Sequence, residues 1–572
     1  MQRRQLRKSY LKKRVFGMPR PLWAVIQCFF IVCGALMTLS LSARCTPTET
    51  YIGLILSVAL YSWLVFRERI IENIILSFSW LSALAALVCA IAATRQYMMY
   101  FSSRLEKLTL TAISSITGGI GYSAITRDLI IYRANIAVTI LIGVALWMVA
   151  YMFVECLRRH LPPVLRSLSG TEIGFITATL IISLALIIIV GRYTDVFYSP
   201  MYDGRTIFYK VVFQNETNAL LRSDIFTDIN APQSDMYRPL YGLIAMPAGV
   251  IASWSEYLFE GDPRSFAMAL NTLHILALSV SLVLFSRLPR LNDADQLSLL
   301  LLNFCSFPVL LSVLALERYA FALLWTALYL NTVVPGREDP GDWKHVSFAG
   351  AAGASLHSLP LMIFSAVADL KRGALSVLRS GLFYLSMIIV FGQIHFFVAL
   401  KNAAETLNNF SVYWTDIYYT REYAYQFLRF LQECLLAPAT KINVYNTYIS
   451  YQQAETEGFS KIGCALISLA LIGFILNFKE KYSWICLYWL ALSYLTLYPV
   501  SLGLAGYNDT LAFAVTVSWA LFSLIFMGLR KAFSRIFALR AIIAAAAFFF
   551  TAAINLRALR ELILFGIEYY PH

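Results

Sequence analysis

Long hydrophobic runs separated by short polar stretches dominate the chain between residues 22 and 556. A membrane-spanning helix needs about 20 mainly apolar residues, and a window of that length finds such segments along the whole chain. We therefore predict an all-α fold: a polytopic transmembrane helical bundle with about 13 full spans and a broken helix pair near residues 346–369. The predicted spans are residues 22–42, 51–66, 71–93, 132–155, 171–191, 266–287, 296–313, 319–334, 376–399, 462–478, 483–504, 509–529 and 537–556.

The polar turns between these spans differ in their content of basic residues. If the N-terminus is cytoplasmic, the basic turns all fall on one side, as the positive-inside rule requires. These turns are "FRERI", "CLRRHLPPVLRS", "SRLPRLN", "DLKRG", "NFKEKYS" and "LRKAFSRIFALR". We therefore predict a multi-pass membrane protein with a cytoplasmic N-terminus, a retained first helix and an extracytoplasmic C-terminus. We favour a bacterial inner membrane; in a eukaryote the outer face would be the lumen of the endoplasmic reticulum.

One apolar segment, "PLYGLIAMPAGVIASWSEYLF" at residues 239–259, is hydrophobic enough to be counted as a further span. Counting it would place the basic turn "SRLPRLN" on the outer side and invert every later loop. We therefore predict that it forms an amphipathic helix on the outer surface of the membrane.

Two long segments face away from the cytoplasm in this topology, residues 192–265 and 401–461. Residues 94–130 form a third outer segment, either interfacial or re-entrant. Long loops on one face of a helical scaffold commonly carry function. We divide the chain into an N-terminal accessory region (1–165), a core (166–400), an aromatic-rich outer loop (401–461) and C-terminal helices (462–572).

The composition agrees with a membrane protein and narrows its function. Hydrophobic residues make up 59% of the chain and charged residues 14%, which excludes an ordinary soluble domain. The formal charge of +13 is concentrated beside apolar runs, so we interpret it as a topology signal and expect no nucleic-acid partner. No nucleotide-binding or zinc-protease motif is found, and no group of metal-binding residue types has ligand spacing.

Ionisable and aromatic residues are unusually dense where a predicted span ends, in "GRYTDVFYSPMYDGRTIFYK" (191–210), followed later by "YRPLYGLIAMPAG". An aspartate at the mouth of a span, a polar loop and such a juxtamembrane segment resemble the glycosyltransferase C superfamily. The resemblance covers roughly residues 166–400, and the four spans before this region depart from the family pattern. It implies a glycosyltransferase-C-like fold, a polyprenyl-phosphate sugar as donor and an aspartate base in the first outer loop. The base carries over onto Asp203 first and Asp195 second.

The resemblance and the residue types together give a wider set of site residues. In relatives, a polar tip between two short helices approaches the donor phosphate, and "AAGASLHSLPLMIF" has that form, with histidine where lysine is frequent. A guanidinium can bind two phosphate oxygens at once. The predicted donor-phosphate residues are Arg205, Arg238, Arg318 and His357. The predicted acceptor or substrate residues are Glu317, Tyr202, Tyr237, Tyr241, Asp416 and Arg421.

Each of these residues also has a structural interpretation. Asp203 beside Arg205, and Asp195 beside Arg192, can be plain ion pairs. Arg238 can extend to water or pair with Asp235. A lone histidine at a helix break, such as His357, commonly hydrogen-bonds a nearby group. Most aromatic residues of the outer loops serve equally well as interface anchors.

The predicted function is transfer of a sugar from a polyprenyl-phosphate donor to a lipid-linked glycan, an envelope glycan or a protein on the extracytoplasmic face. Such a reaction needs a base, positive charge for the departing phosphate and exclusion of water. One carboxylate acting as base predicts inversion at the anomeric carbon. We expect no cofactor, with a divalent cation possible but not indicated. The alternatives are a transporter or lipid-linked glycan flippase, and an envelope glycan polymerase or ligase.

Overall fold

A computed structural model gives the structure of the protein, and the part it describes is mostly helical. The described residues are 20–41, 47–66, 71, 78–91, 94, 110, 124–198, 211–213, 238, 240–259, 263–334, 343–364, 373–390, 425, 427–445, 448–454, 460–501 and 510–572. The chain divides into two compact units, Met1–Ser167 with Val377–Leu400 and Leu168–Ser376 with Lys401–His572. The first unit thus takes residues 377–400, which the sequence assigned to the core.

The described part of the first unit contains helices α1 to α4 and most of the helix Gly373–Val390 (α12). Helix α1 packs against α2 and α4, and the ring of Phe30 meets the ring of Tyr61 edge to face at 5.5 Å. Helix α4 is 43 residues long, so the predicted span 132–155 is the middle of a longer helix. The bounds are Arg20–Leu41 (α1), Pro47–Phe66 (α2), Trp80–Ile91 (α3) and Ala124–Arg166 (α4).

The second unit is a larger bundle organised around α7, which packs against α5, α6, α8 and α10. Its first half contains Gly170–Tyr193 (α5), Tyr241–Leu258 (α6), Pro263–Ser286 (α7), Asp293–Phe304 (α8), Phe307–Leu314 (α9), Tyr319–Val333 (α10), Trp343–Ala354 (α11) and a 3-10 helix, Leu356–Met362. Helix α12, Gly373–Val390, crosses the boundary between the units. The second half of the second unit contains a helical segment over 427–433 (α13), the strands Thr440–Val444 (β1) and Ile449–Gln453 (β2), then Lys461–Leu476 (α14), Lys481–Ser501 (α15), Thr510–Ala514 (α16), Ser518–Ala532 (α17) and Phe537–Tyr569 (α18).

Helix α5 begins with a capping box. The Ser169 hydroxyl accepts from the Glu172 backbone, and the Glu172 carboxylate accepts from the Ser169 backbone. The same carboxylate also accepts from Arg287 Nε (2.7 Å) and Nη2 (2.5 Å), and from Gln296 (2.8 Å). Because one buried carboxylate joins α5, the end of α7 and α8, it fixes the register of three helices at this face of the bundle.

The predicted continuous span 296–313 is wrong in one respect, because the chain bends by 59° between α8 and α9. Pro308 lies in the first turn of α9, where a residue without an N–H begins a helix well but cannot continue the preceding one. The carbonyl of Cys305 at the bend accepts from Asn555 Nδ2 of α18 at 2.8 Å. The predicted span 509–529 is likewise divided into α16 and α17 by a turn at 515–517.

The predicted surface helix exists as α6, and it packs along α7. The Tyr241 hydroxyl is 3.1 Å from Nε2 of His274, and the Ser255 hydroxyl is 3.4 Å from the carbonyl of Ser265. Helix α6 therefore runs beside α7 in the opposite direction. The two contact points on α7, His274 and Ser265, are nine residues or about 14 Å apart at 1.5 Å per residue. Small buried residues, among them Ala245 and Ala252, allow this close packing.

The all-α prediction also needs a correction, because β1 and β2 form an antiparallel hairpin within the predicted outer loop. Tyr451 exchanges backbone hydrogen bonds with Val211 and Phe213. The Tyr570 hydroxyl donates to the Ile449 carbonyl at 2.6 Å and accepts from the Ile449 amide at 2.9 Å. The hairpin is thus attached to the end of α18, which extends to residue 569, beyond the predicted limit of 556.

Within the described residues, four helices are long and apolar enough to cross a membrane, or five if the bent α8–α9 pair counts as one span. They lie at Asp128–Arg166, Gly170–Tyr193, Arg264–Ser286 and Phe537–Tyr569. Several other predicted spans correspond to shorter apolar helices, such as Tyr319–Val333 and Lys461–Leu476. The structure supports a membrane protein with several apolar helices, and the count of 13 remains a prediction.

Candidate functional site

The candidate site lies where α6 and α10 begin. Arg238 precedes α6, and its guanidinium carbon lies 5.0 Å from the centre of the Tyr319 ring. Arg318 caps α10, and its guanidinium carbon lies 5.7 Å from the centre of the Tyr241 ring. Each arginine is therefore stacked on the tyrosine of the other helix. Four predicted site residues, Arg238, Tyr241, Glu317 and Arg318, come together here from two segments more than 70 residues apart.

All three charged side chains of this cluster are buried, with exposures of 7% for Arg238, 5% for Glu317 and 3% for Arg318. Burying a charge costs several kcal/mol unless partners compensate, so the surrounding fold must hold these groups in place. Two guanidinium groups accompany one carboxylate at this point of the described structure. The N-terminal ends of α6 and α10 add partial positive charge. The arrangement is therefore suited to an anionic ligand.

A buried histidine completes the inner side of the cluster. The Tyr241 hydroxyl and His274 Nε2 are 3.1 Å apart, and the His274 ring meets Phe321 edge to face at 4.8 Å. Since Tyr241 also lies under Arg318, the tyrosine is held between a cation and an imidazole. The sequence identified Tyr241 but did not place His274 in the site. Tyr319 was not predicted as a site residue. An arginine followed closely by a tyrosine occurs in both segments, in "RPLY" and at Arg318–Tyr319, and this shared pattern could have identified Tyr319.

The start of α6 is held by a close backbone contact. The Leu240 amide donates to the Gly353 carbonyl at 2.8 Å. A Cβ added at Gly353 would overlap the Leu240 side chain, so glycine is required for this approach. Gly353 belongs to the segment "AAGASLHSLPLMIF" that the sequence singled out as a polar tip. The end of α11 therefore holds the backbone two residues after Arg238.

His357, the predicted phosphate ligand of that tip, lies beside the cluster. Its Nε2 is 2.9 Å from the Ser493 hydroxyl, and its ring meets Trp489 and Phe513 edge to face at 4.7 and 4.5 Å. Phe513 also meets Tyr319 at 5.7 Å, so it lies between His357 and the arginine cluster. These contacts favour the hydrogen-bonded structural role for His357.

Asp195, the second candidate base, has a different arginine partner from the one the sequence suggested. Its Oδ1 is 3.1 Å from Arg264 Nη2 and 3.5 Å from His572 Nδ1. Its backbone amide donates to the Tyr570 carbonyl at 3.1 Å, and the His572 amide donates to the Tyr193 carbonyl at 3.2 Å. Asp195 thus joins the end of α5, the start of α7 and the last residues of the chain, which we call the Asp195 clasp.

A tyrosine near the clasp is unsuited to act as a base. Tyr198 is buried, and Asn271 Nδ2 lies 3.5 Å from its hydroxyl. Burial raises the pKa of Tyr198 above its ordinary value, so the phenol stays protonated at neutral pH. The same Asn271 donates to the Val313 carbonyl at 2.7 Å, so it supports the chain just before Glu317.

The remaining predicted site residues lie outside the described part of the chain. Among the described residues, no group of three or more His, Cys, Asp or Glu side chains could hold a metal ion. The predicted residues without a structural description are Asp203, Arg205, Tyr202, Tyr237, Asp416 and Arg421.

The described geometry defines a helical protein with apolar spans and a buried, arginine-rich cluster. No family model matches the chain, and neither a curated protein nor a solved structure matches it. The resemblance to the glycosyltransferase C superfamily therefore remains a prediction from the sequence.

Proposed function

We propose that the protein is an integral-membrane glycosyltransferase that transfers a sugar from a polyprenyl-phosphate donor, with inversion, to a glycan, lipid-linked or protein acceptor on the extracytoplasmic face. The observation that supports this most is the buried cluster of Arg238, Arg318, Glu317 and Tyr241. In the proposed reaction the two arginines bind the donor phosphate and stabilise the charge that develops as the sugar leaves. The full set of about 13 spans, with residues 1–165 as an accessory region, belongs to the same proposal.

The depth of the cluster suits a lipid phosphate. Gly191, next to the charged end of α5 at Arg192, lies against Met268 of α7. Tyr241 contacts α7 six residues further on, at His274, which is about 9 Å deeper at 1.5 Å per residue. Exposed apolar residues of α5, Ile188 and Ile189, begin just below Arg192. The arginines therefore lie below the charged end of α5, where a lipid phosphate would reach them from the outer edge of the apolar layer.

The catalytic base in this proposal is Asp203, as the resemblance implies, with Asp195 second. A carboxylate that takes the acceptor proton must reach both the acceptor hydroxyl and the sugar carbon. The contacts of Asp195 with Arg264 and the C-terminal residues favour a structural role for it. The acceptor side is assigned to Glu317, Tyr241 and the outer loops.

The test is sugar transfer by the purified full chain in lipid, with radiolabelled polyprenyl-phosphate sugars and extracted acceptors. Arg238→Gln and Arg318→Gln should each raise the KM for the donor roughly tenfold or more, because a hydrogen bond to a charged group contributes about 1.5–3 kcal/mol. Asp203→Asn should lower kcat at least a hundredfold. Arg557→Gln is the matched control, since Arg557 is exposed and pairs with Glu561 on the surface of α18. Unchanged transfer in both cluster variants would refute the proposed phosphate site.

A transporter or flippase of lipid-linked sugars is the second candidate, and the bent α8–α9 pair favours it, because broken helices are typical of transport sites. Proteoliposomes distinguish the two functions. A transporter moves the labelled lipid across the bilayer and leaves its sugar–phosphate bond intact, whereas a transferase consumes the donor. Movement without consumption would reject the glycosyltransferase.

A further inference from the structure

The first unit contains a large apolar groove between α3 and α4. Its volume is about 1150 Å³, and its walls are formed almost entirely by aliphatic and aromatic side chains such as Leu84, Leu87, Ile91 and Ile140. The groove follows α3 from Trp80 to Ile91, about 17 Å at the helical rise, and Thr94 also lines it. Several wall residues are strongly exposed, among them Leu84 at 64% and Ile91 at 61%. A groove of this kind in a membrane-spanning segment is open to lipid chains.

The two ends of the groove differ in chemistry. At the Trp80 end, aromatic rings gather: Phe78 meets Trp80 at 5.0 Å and Tyr151 at 6.0 Å, and Trp147 meets Tyr151 at 5.7 Å. Such aromatic groups populate the interface between hydrocarbon and headgroups. At the other end, the polar groups of the described wall are the hydroxyls of Thr94 and Thr139. The Trp80 end therefore lies at headgroup level.

A basic cluster adjoins that same end. The Ser82 hydroxyl donates to Glu155 Oε2 at 2.6 Å, and Glu155 accepts from Arg158 Nη2 at 2.7 Å and from Arg159 Nε at 2.8 Å. Ser82 precedes the wall residue Ala83. Two arginines thus share one buried carboxylate, and their side chains are 41% and 50% exposed. The cluster has excess positive charge and further N–H donors directed to solvent.

We propose that this groove binds an anionic phospholipid, with an acyl chain between α3 and α4 and its phosphate on Arg158 and Arg159. The charge of the cluster selects an anionic headgroup, and the apolar walls accept the chain. The basic turn that contains these arginines is predicted to be cytoplasmic, whereas the proposed sugar transfer takes place on the opposite face. The site is therefore not the donor site, and the inference does not rest on the proposed function.

Gly143 offers a direct test, because it lies in the wall and a Cβ there would make only an ordinary contact of 3.4 Å with the Thr94 hydroxyl. Gly143→Leu should fill the groove, and Gly143→Ala should leave it open. The delipidated full chain is mixed with phosphatidylglycerol and phosphatidylcholine of matched chains, and the bound lipid is counted by native mass spectrometry. The parent and Gly143→Ala should retain phosphatidylglycerol, and Gly143→Leu should retain at least tenfold less. Equal retention in Gly143→Leu and the parent would overturn the site.

Arg159→Gln tests the headgroup, because it removes one charge while Arg158 still pairs with Glu155. The preference for phosphatidylglycerol over phosphatidylcholine should fall roughly fivefold, equivalent to about 1 kcal/mol per basic residue near a membrane surface. Arg557→Gln, on α18 in the other unit, should change nothing. No preference in the parent, or displacement of phosphatidylglycerol by equimolar polyprenyl phosphate, would overturn the proposed ligand.

A second measurement does not depend on the variants folding. Phosphatidylglycerol with a photoreactive group at the end of one acyl chain is irradiated with the parent protein, and labelled peptides are identified by mass spectrometry. One leaflet is about 15 Å of hydrocarbon, so the chain end should label peptides that contain Leu87 or Ile91. Labelling spread evenly over the other exposed helices would overturn the proposal.

Discussion

The ion pair between Asp195 and Arg264 allows the two roles proposed for Asp195 to be separated. If the role is structural, Asp195→Asn and Arg264→Gln should weaken the Asp195 clasp to a similar extent. The two charged atoms are 3.1 Å apart, and the side chains are 15% and 28% exposed. Exposed pairs contribute about 0.2–1 kcal/mol and breaking a buried pair costs about 3–5 kcal/mol, so a partly exposed pair should contribute roughly 1.5 kcal/mol.

Hydrogen exchange measures this clasp directly, since the amides of Asp195 and His572 donate across it. A loss of about 1.5 kcal/mol should accelerate exchange through local opening roughly tenfold in peptides that contain these amides. The double variant Asp195→Asn/Arg264→Gln should exchange less than a hundredfold faster than the parent, because both changes remove the same Asp195–Arg264 pair, although Arg264→Gln also removes the contact of Arg264 Nη1 with the His572 ring. Peptides from α17 serve as the internal control.

The catalytic role makes a different prediction for the same variants. Loss of a general base lowers the rate by about 100-fold to 10,000-fold, whereas loss of Arg264 would leave the carboxylate in place. Sugar transfer that disappears in Asp195→Asn but persists in Arg264→Gln, with unchanged exchange at the clasp, would refute the structural interpretation. Equal, modest losses of transfer in both variants would support it and leave Asp203 as the candidate base.

Three further predictions concern the packing that holds the second unit together. Arg287→Met should lower the free energy of unfolding by about 3 kcal/mol, because Glu172 then stays buried without its cation. The double variant Glu172→Gln/Arg287→Met should recover most of this loss in denaturant titrations in detergent. No recovery would show that loss of the Glu172–Arg287 ion pair does not cause the destabilisation. Gly473→Leu should prevent α14 from packing on α17, because a Cβ at Gly473 would overlap the Leu524 carbonyl. Gly174→Ala is the control, since a Cβ at Gly174 has open space, and this variant should be neutral or slightly stabilising in a thermal melt. Equal stability of the two variants would refute the close approach of α14 and α17. Asn555→Leu should cost about 3 kcal/mol in the same titrations, because it leaves the Cys305 and Leu435 carbonyls and the Ala437 amide without this partner, and a cost below about 1 kcal/mol would show that other groups replace it.

The positions of many helices followed from the sequence because long apolar runs are a local signal. The predicted span 171–191 lies within α5, and the predicted span 266–287 agrees with α7 to within a few residues. The bend between α8 and α9 is different, because the partner that satisfies the Cys305 carbonyl is Asn555, 250 residues away. Pro308 was a local signal for a break, but the contact that satisfies the Cys305 carbonyl has no trace in the local pattern, and a continuous span was predicted.

The packing of α6 and the hairpin illustrate two other limits of the local pattern. As the sequence predicted, α6 is not among the described helices that are long and apolar enough to cross a membrane, but its packing along α7 depends on the contact between Tyr241 and His274. For the hairpin a local signal was present, since Ile442 and Val444 alternate with polar residues in "TKINV". The aromatic density of the surrounding loop obscured that alternation.

The candidate site was accessible from the sequence as a set of residues, but not as an arrangement. Placement beside predicted outer turns was enough to select Arg238, Glu317 and Arg318. Their burial could not be inferred, because charged residues in turns are normally solvated. The burial arises from the pairing of two helix starts, which places each arginine on a tyrosine of the other helix.

This reciprocal pairing affects how any arginine variant must be interpreted. A desolvated cation–π contact contributes about 2 kcal/mol, so removing Arg318 weakens the junction of α6 and α10 as well as the positive charge. Tyr241→Leu removes the ring beneath Arg318 but leaves both guanidinium groups, so it should loosen the junction without removing charge. If binding of the donor phosphate depends on charge alone, Tyr241→Leu should bind nearly as well as the parent. If it depends on arginines already fixed in place, Tyr241→Leu should bind as poorly as Arg318→Gln, because an untethered guanidinium loses much of its advantage when it must be ordered upon binding.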